Sequence, residues 1–140
     1  MEKALYTAKA TAEGGRSGKV SSSDGTLDLN LSMPKSLGGK EEAGATNPEQ
    51  LFAAGYSACF DSALHLVAQK ERKKIESKVT AEVSIGKDGE SFGLAVKLNV
   101  GINGVTQEEA DDLVEKAHQV CPYSKATRGN IDVQLSAELM

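Results

Sequence analysis

The sequence predicts an α+β fold, with mainly antiparallel sheets around one long central helix. Three observations carry this. Leu5–Ala12, Val79–Ile85, Phe92–Ile102 and Ile131–Leu139 alternate apolar and polar residues with the period of a half-buried strand. Asn47–Lys70 and Thr106–Cys121 instead pair helix-start chemistry with apolar spacings of three and four. The order strand, strand, strand, helix, strand, strand, helix, strand lacks the strict alternation that marks a parallel α/β sheet.

In the first segment Tyr6, Ala8, Ala10 and Ala12 share one side and Thr7, Lys9 and Thr11 the other, until Gly14-Gly15 breaks the run. Lys19–Ser23 and Thr26–Leu31 read as strands joined at Asp24-Gly25, a strong hairpin signal, with Leu27, Leu29 and Leu31 on the buried side. Met33–Thr46 holds Pro34, Gly38-Gly39 and Gly44 without a sustained period, which makes it a long loop of the kind that carries function. The central helix then starts where Asn47 offers an N-cap oxygen, Pro48 suits the first helical position and Gln50 completes a capping-box spacing. It ends in the charged, solvated run Lys70–Lys74.

Val79, Ala81, Val83 and Ile85 alternate in the next strand, Asp88-Gly89 turns, and Phe92, Leu94, Val96, Leu98, Val100 and Ile102 alternate in its partner. Thr106-Gln107-Glu108-Glu109 is a capping box, after which Ala110, Leu113, Val114, Ala117 and Cys121 share a helical face. Pro122 is expected to stop that helix, Tyr123–Thr127 to be irregular, and Arg128-Gly129-Asn130 to turn into the last strand.

The bulk numbers bound the function. With 140 residues the chain suits a single domain, 1–140, that would gain from oligomerisation. A net charge of -4 argues against a nucleic-acid surface and against a polybasic membrane anchor. Leu51–Ala68 falls short of the ~20 apolar residues of a membrane span and carries Asp61 and His65, so it reads as a buried core helix. No apolar secretory stretch follows Met1, so a cytoplasmic, reducing compartment is expected, where the two cysteines, Cys59 and Cys121, are reactive or simply buried rather than a structural disulfide.

Cys59 poses an electrostatic problem. Residues three, four and seven positions away are Phe52, Gly55, Tyr56, Ser62, Ala63 and Leu66, an apolar, small-residue face that should be buried. Burial raises a thiol's pKa, and only the thiolate is nucleophilic. The helix dipole fades within its first turn, about three turns before Cys59, and no Lys or Arg occurs from Glu41 to Gln69. A reactive Cys59 therefore requires a cation from another segment.

Three segments together resemble the organic hydroperoxide resistance (Ohr) family. They are Gly14-Gly15-Arg16-Ser17-Gly18 with Ser23-Asp24-Gly25, then Asn47–Phe60 with its Asn-Pro-Glu-Gln-Leu-Phe start and Ser-Ala-Cys-Phe end, and Val120–Val133 with Cys-Pro-Tyr-Ser and Arg-Gly-Asn-Ile. The resemblance spans most of the chain in order, and the last two motifs favour Ohr over the OsmC branch of the wider OsmC-like superfamily. It implies an intertwined homodimer with two active sites at the subunit interface. The implied activity is a thiol peroxidase without metal or haem that reduces organic hydroperoxides to alcohols. By resemblance Cys59 is the peroxidatic cysteine, Cys121 the resolving cysteine, and Arg16 and Glu49 hold the thiolate; the electron donor is an external, lipoyl-type dithiol such as dihydrolipoamide or a lipoylated protein.

Each assignment has a plainer alternative. Arg16 reads otherwise as a solvated arginine on a hairpin, but its guanidinium would supply the missing cation and hydrogen-bond a peroxide oxygen. Glu49 suits a helix's first turn for dipole reasons alone and lies ~15 Å along the axis from Cys59. The pair would meet Cys59 only if brought from elsewhere in space, which a second subunit could do. Cys59 and Cys121 read otherwise as two buried hydrophobes. If redox-active, they pass through a sulfenic acid to a disulfide, which needs their Cα atoms within roughly 7 Å.

Zinc held by Cys59, His65, His118 and Cys121 is disfavoured, because only His118 and Cys121 have a compatible spacing. Asp61 and His65 read as an i,i+4 surface or interface pair, and no Ser-His-Asp set is visible. Phe52, Tyr56, Phe60 and Tyr123 are candidates for an apolar substrate entrance, while Lys125 and Arg128 read as solvated or interface charges. The alternatives for the whole chain are an OsmC-type peroxidase of broader substrate use and a non-catalytic thiol redox sensor.

Overall fold

Apolar alternation produces the strands where the sequence places them, except at the N-terminus. The structure is a computed structural model and describes all residues, Met1–Met140. The chain packs as two units, Met1–Leu51 and Phe52–Met140.

In the first unit β1 (Ala10–Glu13), β2 (Lys19–Ser22) and β3 (Asp28–Asn30) form an antiparallel sheet in that order. The β1–β2 turn is tight. A Cβ on Gly18 would lie 1.7 Å from the Glu13 carbonyl oxygen, so only glycine closes it. The second hairpin turns at Gly25, whose φ is 77°, with Ser22 Oγ donating to Asp24 at 2.7 Å.

Two expectations fail in this unit. β1 begins at Ala10 rather than Leu5, leaving Leu5 97% and Tyr6 82% exposed, because within this chain only the Lys9 carbonyl finds a sheet partner, the Ser23 N–H. Leu27 lies in the turn before β3 and is exposed, whereas Leu31 is buried. The long loop contains one 3₁₀ turn, Lys35–Leu37, and is pinned by a parallel bridge between Leu31 and Thr46 and by the Glu42 N–H on Ser32 Oγ.

Helix α1 (Pro48–Lys70) begins in the first unit and continues into the second. Asn47 Oδ1 caps it by accepting the Gln50 N–H at 2.8 Å. The other half of the expected capping box is replaced, since Gln50 Oε1 accepts from Thr46 Oγ1 instead. By length and composition alone α1 could cross a bilayer, with 23 residues and a mean hydropathy of 1.3 over an 18-residue stretch of it. It is instead a core helix, with Tyr56, Phe60, Ala63, Leu64, Val67 and Ala68 buried.

β4 (Glu76–Asp88) and β5 (Ser91–Asn103) form an antiparallel ribbon of 13 residues each, paired without interruption from Glu76 opposite Asn103 to Asp88 opposite Ser91. β6 (Val133–Leu139) adds to β5 in parallel, the one departure from antiparallel pairing among the named strands. The intervening helices explain it, because a helical crossover returns the chain to the same end of the sheet. α2 (Gln107–Val120) starts at the expected capping box, Thr106 and Glu109 each accepting the other's backbone N–H. Val96, Leu98, Val100 and Ile102 of β5 face the apolar stripes of α1 and α2 in one cluster with Leu113, Val114 and Ala117.

The segment after Pro122 corrects the sequence reading. Pro122–Thr127 is a short helix, α3, with Pro122 at its first position. Proline there lacks only an N–H that would have been unpaired anyway, so it ends α2 and opens α3 together.

Candidate active site

Cys59 lies midway along α1, and Cys121 is both the C-cap of α2 and the residue before α3. The extended backbone of Cys121, at φ -67° and ψ 124°, makes the bend. Its N–H bonds to the Ala117 carbonyl and its own carbonyl accepts the Lys125 N–H, so the residue is held on both sides. The two sulfurs are 3.6 Å apart as free thiols. A bonded S–S length is about 2.05 Å, so an approach of about 1.5 Å would join them.

Cys121 is fully buried and Cys59 only half-buried. The buried face of α1 is centred on Phe60, Ala63 and Leu64, one position round from the face expected, and Ser62 and Leu66 are exposed. Cys59 thus sits at the edge of the core with a route to solvent. Burial pushes its thiol up, and the neighbouring Cys121 adds to the rise. The Tyr123 N–H, freed by the start of α3, opposes it by hydrogen-bonding the sulfur.

Arg16 and Glu49 form the second pair. Arg16 projects from a 3₁₀ turn, Gly15–Ser17, and Glu49 from the first turn of α1. Arg16 Nη1 donates to both carboxylate oxygens, at 2.8 and 3.1 Å. Glu49 is the more buried partner, with 13% of its side chain exposed against 30% for Arg16.

Of the four candidate entrance aromatics, three meet. Phe52, Tyr56 and Tyr123 have ring centroids 5.7–6.1 Å apart. Phe60 stands outside this group, fully buried in the core. Phe52 and Tyr123 keep exposed surface. Gly55 makes the cluster possible, since a Cβ there would lie 2.7 Å from the Tyr123 hydroxyl.

The sequence reading missed a buried hydroxyl cluster. Tyr56 Oη lies 2.8 Å from Ser124 Oγ and 3.0 Å from Thr127 Oγ1, and Ser124 Oγ lies 2.8 Å from His118 Nδ1. Its one available signal was Pro122. Taken as a first helical position, it places Ser124 and Thr127 three apart on one face. Arg128 is likewise structural rather than solvated, its Nη1 donating to the His118 carbonyl near the end of α2 at 2.6 Å.

A Ser-His-Asp set, unseen in the sequence because its serine is on β4, is also present. Ser77 Oγ donates to Asp61 Oδ1 at 2.5 Å and lies 2.7 Å from His65 Nε2. The carboxylate binds the serine rather than orienting the histidine, so this is a clasp between α1 and β4 and not a nucleophile with its base. No three His, Cys, Asp or Glu side chains converge as metal ligands would.

The family model described as OsmC-like protein matches residues 38–136. The chain is 57% identical over 137 residues to organic hydroperoxide resistance protein OhrA of Bacillus subtilis, covering 96% of this chain and 97% of that one. It is 53% identical to the organic hydroperoxide resistance protein of Xanthomonas axonopodis pv. citri, with 96% of each covered. The crystal structure of an organic hydroperoxide resistance protein from Elizabethkingia anophelis superposes with a TM-score of 0.92 at 57% identity, covering 99% of both chains.

Proposed function

Because the chain belongs to the organic hydroperoxide resistance family of the OsmC-like superfamily, we propose that it is a cysteine-based peroxidase reducing alkyl or fatty-acid hydroperoxides to alcohols in the response to oxidative stress. The observation that carries this reading is the 3.6 Å between the Cys59 and Cys121 sulfurs, one thiol reachable from solvent and the other buried behind it.

The Cys59 thiolate attacks the terminal oxygen of the hydroperoxide. The O–O bond breaks, the alkoxide leaves and takes up a proton as alcohol, and Cys59 becomes a sulfenic acid. Cys121 gives up its proton and attacks the Cys59 sulfur, hydroxide departs as water, and a disulfide remains. An external lipoyl-type dithiol then exchanges twice with that disulfide, restoring both thiols and leaving as its own cyclic disulfide.

Cys59 is pushed up by its own surroundings, so the thiolate is assigned to the charge of Arg16, whose guanidinium does not deprotonate and is oriented by Glu49. In the proposed homodimer the Arg16–Glu49 pair of one subunit serves Cys59 of the other. Phe52 and Tyr123, backed by the buried ring of Tyr56, form the apolar side of the entrance and favour an organic chain over hydrogen peroxide.

The test is steady-state reduction of cumene hydroperoxide and of hydrogen peroxide with dihydrolipoamide, in wild type and Cys59→Ser. Sustained turnover that favours the organic peroxide and vanishes in the variant is expected. Equal use of both peroxides would point to the broader OsmC-type activity, and a single oxidation without turnover to a redox sensor.

A further inference from the structure

The hydroxyl cluster beside the two cysteines runs parallel to the thiol pair. Tyr56 precedes Cys59 by three residues on α1, while His118 and Ser124 lie three before and three after Cys121. The His118–Ser124 contact therefore bridges the bend that carries Cys121, and the Tyr56–Ser124 contact ties that bend to α1 one turn from Cys59.

Counting donors fixes the direction of every bond. Thr127 Oγ1 donates to the Ser124 carbonyl at 3.2 Å, so at 3.0 Å it accepts from Tyr56. Tyr56, its one proton used, accepts from Ser124, which in turn accepts from His118 Nδ1. Each hydroxyl gives once and receives once, all four side chains are buried, and no buried polar side-chain atom is left without a partner. Apolar side chains could fill this space with comparable stability, whereas a directed chain permits one arrangement of the bend.

We propose that the chain from His118 through Ser124 and Tyr56 to Thr127 is a positioning device for Cys121, setting how fast the disulfide closes relative to further oxidation of Cys59. The inference rests on the peroxidase reading. Two reactions compete for the Cys59 sulfenic acid. In one, Cys121 forms the S–S bond and releases water. In the other, a second organic hydroperoxide transfers an oxygen to the same sulfur, leaving a sulfinic acid and a second molecule of alcohol. Closure is internal to the protein and the second oxidation depends on peroxide, so loosening the bend lowers the peroxide concentration at which the two products are equal.

Ser124→Ala removes the central link, and Thr127→Val removes one end while keeping its volume. Each purified, reduced protein is mixed with increasing cumene hydroperoxide and quenched, and the ratio of Cys59 sulfinic acid to Cys59–Cys121 disulfide is read by mass spectrometry. In Ser124→Ala the crossover concentration is expected to fall about tenfold, the worth of one such hydrogen bond, and in Thr127→Val by less. The rate of the first oxidation should stay within about twofold.

The ratio is read only on the folded fraction, isolated by size exclusion before mixing, so unfolded chains do not contribute to it. Should Ser124→Ala not fold, the shift in Thr127→Val decides. An unchanged crossover in the folded variant, with the wild-type disulfide forming normally, overturns the positioning role alone. Failure of the wild type to form that disulfide overturns the peroxidase reading and the positioning role together.

Discussion

A half-buried thiol next to a second thiol holds its proton too tightly to be a good nucleophile at neutral pH, and Cys59 is in that situation. The assignment of Arg16 as its counter-charge makes a direct prediction. Arg16→Met should raise the apparent pKa of Cys59, read from the pH dependence of alkylation, by about 1–3 units. Its reaction with hydroperoxide at pH 7 should slow by at least about tenfold. An unchanged alkylation profile would remove Arg16 from the site. His118 gives a second prediction. Burial holds its pKa below the usual value, with Arg128 acting in the same direction and Glu115 against it. The unfolded chain then binds a proton that the folded one refuses, so stability is lost as pH falls from about 6.5 through the lower folded value. Urea unfolding between pH 7 and 5 should show this slope in wild type and lose it in His118→Asn.

At the scale of elements, caps and crossings decide what holds and what was readable. Thr106→Ala should cost about 1 kcal/mol in thermal or urea unfolding, because the reciprocal bonds of the α2 capping box are both present. That box, the Asp24-Gly25 hairpin and the β4–β5 ribbon were legible because local chemistry alone specifies them. α3 and the parallel pairing of β6 were not. Pro122 both ends and begins a helix, and the sequence does not say which of those roles dominates. The pairing direction of β6 follows from where the crossover returns the chain, a non-local fact. The same division runs through the site. Cys59 and Cys121 stood out as the only cysteines, while Arg16, which reads by itself as a solvated hairpin arginine, was singled out only by the family resemblance. Ser124, Thr127 and His118 are ordinary residues whose meeting with Tyr56, 68 and 71 positions away from the two hydroxyl residues, appears only in three dimensions.

The whole molecule carries apolar surface that a lone chain leaves open. Leu5 and Tyr6 are almost fully exposed, Leu66 on α1 is 47% exposed and Val120 at the end of α2 is 50% exposed. The proposed homodimer covers such surface, and sedimentation should give a particle of twice the 14.7 kDa chain. A fully active monomer would refute the exchange of Arg16 and Glu49 between subunits. The cysteine cycle itself is tested most directly by the intact mass of the reduced protein after one equivalent of cumene hydroperoxide. Loss of two hydrogens is expected, with both thiols consumed and a single cross-link between Cys59 and Cys121 within one chain. Added oxygen with Cys121 still a free thiol, or no reaction of Cys59, would contradict it.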